Sequence, residues 1–262
     1  MTSPPLRAVF FDIGGVVARS PFVAIAAYER KHNIPENYLN CSIAARGSQG
    51  AWQRFERGEL PLLQFYNAWS QDLSDTVNGN IWYTAYCRRK GIEPPRLPTE
   101  LNIDVRELFG EMMRESAALD PHIVKAMRRL RGTGQYKVIA LTNNYASSVT
   151  EDVPVTELAF LGWQNGAISP ELVAMFDDFC DSSTLGMRKP ESEFYILACK
   201  RNGVKPEEVI FLDDIRMNLK AAKRLGMETI HVPIGGTLEA VRTLERRLGI
   251  DLTSTEDERS RL

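Results

Sequence analysis

Ala8-Val-Phe-Phe11, running straight into Asp12-Ile-Gly-Gly15, is a continuous apolar stretch that stops at an acid and two glycines. A short β-branched and aromatic run without polar alternation reads as a strand buried on both faces, the pattern of a parallel sheet. The two glycines predict a tight turn at the strand's carboxyl end. Similar runs recur at Lys137-Val-Ile-Ala-Leu-Thr142, Val209-Ile-Phe-Leu212 and Thr229-Ile-His-Val232. Helical patterns separate them. Asp120-Pro121 supplies a cap and a first-turn proline, Ile123, Val124, Met127 and Leu130 form an apolar stripe, and Gly132 is expected to stop the helix. Another helix is expected to begin at Pro190, carry Phe194, Leu197 and Ala198 inward, and end at Asn202-Gly203. The next carries Leu219, Ala222 and Leu225, with Gly226 as its terminator. Such alternation implies right-handed crossovers and an α/β, Rossmann-like fold: a parallel sheet flanked by helices.

Residues 20–109 have a different character. Phe22 to Lys31 and Leu62 to Leu73 show helical apolar spacing, and Pro35, Gly58 and Pro61 mark interruptions. Trp52, Phe55, Phe65, Tyr66, Trp69, Trp82, Tyr83 and Tyr86 make this the aromatic-rich part, broken by Glu93-Pro-Pro-Arg-Leu-Pro98. No strand is predicted there. The expected organisation is a core of residues 1–19 and 110–250, an all-helical insertion at 20–109, and a polar tail at 251–262.

A length of 262 residues fits one large domain, or one domain with a smaller one inserted. Thirty-two basic against 34 acidic residues leave a formal charge of −2, so nothing points to a nucleic-acid or anionic-membrane partner. With 44% hydrophobic and 25% charged residues, disorder, collagen and coiled coil are excluded. Cys41, Cys87, Cys180 and Cys199 are irregularly spaced, with no CxxC pair, and read as reduced thiols. The first residues lack the apolar segment of a secretory leader, and no run reaches the roughly 18 apolar residues of a membrane span. The expectation is a soluble intracellular protein.

In parallel sheets of this kind ligands bind beyond the carboxyl ends of the strands. Those ends carry Asp12, then Thr142-Asn143, then Asp213-Asp214, and Gly186-Met-Arg-Lys-Pro190 brings in Lys189. Carboxylates gathered in one small site repel unless a hard cation lies among them, and Mg²⁺ prefers such oxygens while keeping waters for a phosphorylated substrate. A lysine and a threonine suit the non-bridging phosphoryl oxygens, and a carboxylate can attack phosphorus to form an aspartyl phosphate.

These residues fall into four ordered motifs: Phe10-Phe-Asp-Ile-Gly-Gly-Val16, Ile139-Ala-Leu-Thr-Asn143, Gly186-Met-Arg-Lys-Pro-Glu191, and Ile210-Phe-Leu-Asp-Asp-Ile215 with Asn218. In this the chain resembles the haloacid dehalogenase superfamily, and the insertion after the first motif resembles that superfamily's helical (C1-type) cap. Leu212-Asp-Asp-Ile-Arg-Met-Asn-Leu-Lys220 and Arg224-Leu-Gly-Met-Glu-Thr-Ile230 are similar to the phosphatase domain at the N-terminus of soluble epoxide hydrolases and to the related domain fused to some acyl-CoA dehydrogenases. The resemblance implies a Mg²⁺-dependent phosphatase acting on a small organic, even lipid or isoprenoid, phosphate. It implies Asp12 as nucleophile and metal ligand, the Gly14 carbonyl and Asp214 as further ligands, and Asp213 behind them. Thr142 and the Asn143 amide would bind the phosphoryl group, Lys189 would anchor it together with Asp12, and Asn218 would position the acidic pair. One position departs from the pattern. The usual Asp-x-Asp has a second acid where this chain has Gly14, and general acid–base help of that kind is worth about 10²–10⁴ in rate. A haloacid dehalogenase-type hydrolase and a catalytically weakened ligand- or partner-binding protein are therefore alternatives.

Plainer readings exist for each residue taken alone: a turn acid for Asp12, a helix cap for Asp213-Asp214, a surface charge for Lys189. His32, His122 and His231 have no ligand spacing and are expected to be structural or surface residues. Gly47-Ser-Gln-Gly50 is not a GxSxG nucleophile elbow. The terminal Ser260-Arg261-Leu262 is similar to the peroxisomal address Ser-Lys-Leu, which adds a peroxisomal location to the cytoplasmic expectation.

Overall fold

The computed structural model describes residues 5–145, 153–163 and 166–254. The Ser260-Arg261-Leu262 signal therefore lies outside the described residues. The chain forms two units, one of residues 1–19, 118–144 and 168–262, the other of residues 20–117 and 145–167.

The first unit is built on a five-stranded sheet of β1 (Ala8–Phe11), β2 (Lys137–Thr142), β3 (Asp178–Asp181), β4 (Val209–Asp213) and β5 (Glu228–His231), in the order β3-β2-β1-β4-β5. Every pairing is parallel. The apolar run that opened the sequence is the central strand. Its side chains alternate between two cores, since successive strand residues point to opposite faces. Val9 and Phe11, with Val138, Ala140, Ile210 and Leu212, pack under the helices Pro121–Thr133 and Thr237–Leu248. Ala8 and Phe10, with Ile139, Leu141, Val209 and Phe211, pack under Ser192–Asn202 and Arg216–Arg224. Burial on both faces explains why these strands show no polar alternation.

Several boundaries differ from expectation. Gly132 lies inside the last turn of its helix, and the terminator is Gly134 at φ 64°, a left-handed conformation that glycine adopts without steric cost. Pro190 does not open a helix; that helix begins at Ser192, three residues after Lys189. β3 was not expected, because Asp178-Phe-Cys-Asp181 has acids at both ends and too few apolar residues to read as a strand. Residues 251–254, expected as part of a polar tail, are tied down. Lys125 Nζ donates to the carbonyls of Thr253 (3.0 Å) and Ser254 (2.6 Å), and Leu252 is buried.

Among the described residues of the second unit the regular elements are helices: Phe22–Lys31, Tyr38–Ala45, the short 3-10 turn Gly47–Gln49, Ala51–Glu56, Leu62–Ser74, Thr76–Lys90, Val105–Glu115 and Val155–Leu161. Its core is aromatic. Phe55 stacks on Phe65 at 4.1 Å, and Trp69, Phe109, Tyr145 and Trp163 surround them. The expected boundary at residue 109 is corrected: it cuts through one continuous helix, whose Leu108, Phe109 and Met112 all face this core. Residues 145–167 also belong here and not to the sheet unit. Buried Glu157 explains the attachment, accepting from Tyr66 Oη at 3.0 Å and from Arg106 Nε at 2.8 Å. No helix among the described residues is long and apolar enough to cross a membrane.

Candidate active site

The carboxyl ends of β1, β2 and β4 place the polar residues. Asp12 follows β1 directly, and its N–H donates to the Leu212 carbonyl at 2.9 Å, so the ladder continues one residue beyond the strand. Its Oδ1 accepts from the Ile13 N–H at 2.7 Å, which fixes the carboxylate's rotation. The turn then closes with Gly15 N–H donating to the Ala18 carbonyl at 2.8 Å. Gly15 has φ +84°, and a Cβ there would lie 2.1 Å from Asp214 Oδ2 and 3.0 Å from Asp214 Cβ. Glycine is required at that position on both counts.

Lys189 is 1% exposed, a burial rare for lysine unless its charge is paired. Its Nζ lies 2.8 Å from Asp12 Oδ1 and 2.8 Å from Asp213 Oδ2. Burial alone would lower the ammonium's pKa, but Asp12 and Asp213 outweigh it and raise it. Asp213 is fully buried, and that burial, with the charge of Asp12 added, pushes its carboxyl up to about 7 against the pull of Lys189. Asn218 Nδ2 reaches both Asp213 oxygens at 3.1 Å, and the Ile215 N–H donates to Oδ1 at 2.7 Å.

One carboxylate oxygen from each of Asp12, Asp213 and Asp214 lies within 4.8 Å of the others. Lys189 pairs with two of them, Asp12 and Asp213. Three carboxylate oxygens this close repel one another, and a hard, oxygen-preferring divalent cation fits such a donor set.

Thr142 is buried at the end of β2, its hydroxyl 3.4 Å from the Asn143 carbonyl. The Asn143 side chain turns to the Lys189 backbone. Its Oδ1 accepts from the Lys189 N–H at 2.8 Å, and its Nδ2 donates to the Lys189 carbonyl at 3.1 Å. Gly14 is half-buried and bridges to Ala18, with no acid in its place. Contacts thus join Asp12, Asn143, Lys189, Asp213 and Asn218 into one network, with Asp214 in the acidic cluster.

Two supporting residues, Ser182 and Tyr195, were not anticipated, and a third, His231, was singled out only as structural or surface. Fully buried Ser182 accepts from the Asn144 N–H at 3.0 Å and donates to the Asn144 carbonyl at 3.2 Å. Tyr195 donates to the Asn218 carbonyl at 3.0 Å, and its phenol pKa is raised by burial and by Asp213 and Asp12. His231 Nε2 sits 3.1 Å from the Asp214 carbonyl. Ser182 lies just past the unpredicted strand, and Tyr195 sits among apolar residues that look like ordinary core.

The model of the haloacid dehalogenase-like hydrolases matches residues 6–226. The chain belongs to that family. It is 29% identical over 251 residues to bifunctional epoxide hydrolase 2 of Sus scrofa, covering 95% of this chain and 40% of that protein. It is 26% identical over 247 residues to acyl-CoA dehydrogenase family member 10 of Mus musculus, covering 94% of this chain and 19% of that protein. The chain therefore spans well under half the length of these two relatives. Enolase-phosphatase E1 of Sorangium cellulosum matches at 27% identity over 253 residues, 90% of this chain and 92% of that one. A predicted hydrolase of the same family from Porphyromonas gingivalis shares the fold at a TM-score of 0.53 and 18% identity, covering 93% of this chain and 99% of that one. This haloacid dehalogenase-like hydrolase thus has phosphatases among its relatives.

Proposed function

We propose that this hydrolase is a Mg²⁺-dependent phosphomonoesterase in which Asp12 is the nucleophile. The observation that carries the reading is Lys189 Nζ at 2.8 Å from both Asp12 and Asp213, beside the third acid of the cluster. Both Lys189 and the Ile13 N–H engage Asp12 on Oδ1. The opposite oxygen, Oδ2, is the one placed to attack phosphorus. As the Oδ2–P bond forms, the ester P–O bond breaks and the leaving oxygen takes up a proton from water. Water then cleaves the aspartyl phosphate, releasing inorganic phosphate and restoring the carboxylate. Asp12, the Gly14 carbonyl and Asp214 would hold Mg²⁺, which would supply charge neutralisation at the phosphoryl oxygens. Lys189 orients Asp12, and with the Thr142 hydroxyl and the Asn143 N–H it holds the phosphoryl group. Asn218 and Tyr195 keep Asp213 in place behind the site.

The substrate proposed is a small organic phosphate ester, of the lipid or isoprenoid kind, on the likeness to the sesquiterpene phosphatase of Aspergillus oryzae, 27% identical over 168 residues. Hydrolysis of 4-nitrophenyl phosphate, with Mg²⁺ and with EDTA, by wild type and Asp12→Asn, tests the reading. Activity confined to wild type with Mg²⁺ is expected; equal rates for the two proteins would end it. Gly14 favours a second reading, a weakened enzyme that binds phosphorylated molecules with little turnover. Thermal stabilisation by Mg²⁺ with beryllium fluoride but no measurable hydrolysis would select it.

A further inference from the structure

We infer that the Asn143 side chain is a positioning residue that holds the backbone of Lys189 and so sets where the ammonium falls between Asp12 and Asp213. The inference rests on Lys189 being the cation of the proposed phosphatase site. It assigns Asn143 a task distinct from phosphoryl binding.

Lys189 belongs to neither a strand nor a helix. It sits between the short helix Ser182–Leu185 and the helix that starts at Ser192, so no ladder fixes its peptide groups. Its flexible four-carbon stem must nonetheless deliver a buried ammonium to two carboxylates at 2.8 Å each. Asn143 supplies the missing constraint. Its amide reads both backbone groups of the one residue, accepting from the N–H at 2.8 Å and donating to the carbonyl at 3.1 Å. Two bonds on opposite sides of one Cα fix its height and its rotation together. An aliphatic side chain at position 143 can do neither.

The clasp is itself anchored. Asn143 follows the last residue of β2, and the next residue, Asn144, exchanges hydrogen bonds with buried Ser182 at the end of β3. The lysine is thereby referenced to two strands of the sheet through side-chain amide and hydroxyl groups. Displacement of about 1 Å at a reacting centre can cost about 10² in rate, so loss of the clasp should be felt in turnover.

The experiment is a double-mutant cycle on 4-nitrophenyl phosphate with wild type, Asn143→Ala, Lys189→Ala and the double variant. Asn143→Ala is expected to lower kcat about 10²-fold with KM changed less than about threefold. In the Lys189→Ala background the same change should have almost no further effect, because the group being positioned is gone. A rise in KM and in the inhibition constant of inorganic phosphate that persists in that background would mean the side chain binds substrate directly, and would overturn the proposal. A second readout does not need turnover. Reductive methylation followed by mass spectrometry compares Lys189 with exposed Lys220 in wild type and in Asn143→Ala. The Lys189:Lys220 labelling ratio should rise about tenfold as the lysine loop opens; an unchanged ratio overturns the proposal. Asn143→Asp, which keeps the acceptor and loses the donor, should fall between the two and serves if the alanine variant does not fold. Asp12→Asn, run alongside, separates the two ideas: undiminished hydrolysis there ends the phosphatase reading, whereas its loss with an unchanged labelling ratio ends only the clasp.

Discussion

A methyl group on Gly15 would lie 2.1 Å from Oδ2 of Asp214, so the turn after β1 and the acid after β4 are fitted to each other. The contact is not one that a rotamer change relieves, since the Cβ of Asp214 would also be only 3.0 Å away. Gly15→Ala must therefore displace Asp214 as well as force alanine into φ +84°. The expected outcome is a rise of about tenfold or more in the Mg²⁺ concentration for half-maximal activity, with about 1–2 kcal/mol lost from stability. Mg²⁺ titration of the phosphatase rate, and urea unfolding, check the two effects.

Lys189→Met keeps the stem's bulk and removes the charge. Asp12 and the fully buried Asp213 then face each other without a cation, and breaking a buried pair in this way costs about 3–5 kcal/mol. A large fall in urea midpoint is expected, with hydrolysis close to background. Added Mg²⁺ should recover part of the stability and none of the rate.

Gly14 predicts a steep dependence on the leaving group. Without an acid to protonate the departing oxygen, aryl phosphates with acidic phenols should outpace alkyl phosphates by about 10²–10⁴ beyond what binding explains. Gly14 is not among the positive-φ glycines, so Gly14→Asp carries no left-handed strain. That variant should flatten a plot of log kcat/KM against leaving-group pKa. An unchanged slope would mean that another group already donates the proton.

Away from the site, Asp178 ties β3 to the helix Ser192–Asn202. Burial works to raise its pKa, but hydrogen bonds from Arg201 (3.1 and 2.8 Å), Asn202 (2.9 Å) and Cys180 (3.4 Å), with the Arg201 charge, bring it down to about 2. Its pKa is thus lower folded than unfolded, where it is near 3.8. The stabilisation is present above about pH 4 and is lost as pH falls towards 2. It is worth about 1–2 kcal/mol, because Arg201 is partly exposed and its attraction is screened. Urea unfolding of wild type and Asp178→Asn should differ by that amount at pH 6 and converge near pH 2.

The sheet was legible because burial on both faces leaves an unmistakable apolar run. The acids and the threonine at the ends of those runs were legible for the same reason: strand ends locate a site when the connections are parallel. β3 escaped because it is an edge strand with acids at both ends, held partly by Asp178 and Arg201, which carry no strand signal. The Asn143 clasp escaped because an asparagine after a strand looks the same whether it faces a ligand or a neighbouring peptide. The placing of residues 145–167 depended on Glu157 meeting Tyr66, 91 positions away, and no local pattern announces such a contact.

Because residues 20–117 and 145–167 together make the helical unit, the polypeptide passes between the two units four times, with β2 sandwiched in sequence between the two helical stretches. An engineer wishing to transplant the helical unit from a relative must therefore exchange both stretches at once. A graft of the longer piece alone would leave Tyr145 and Trp163 without Phe109, and Glu157 without Tyr66.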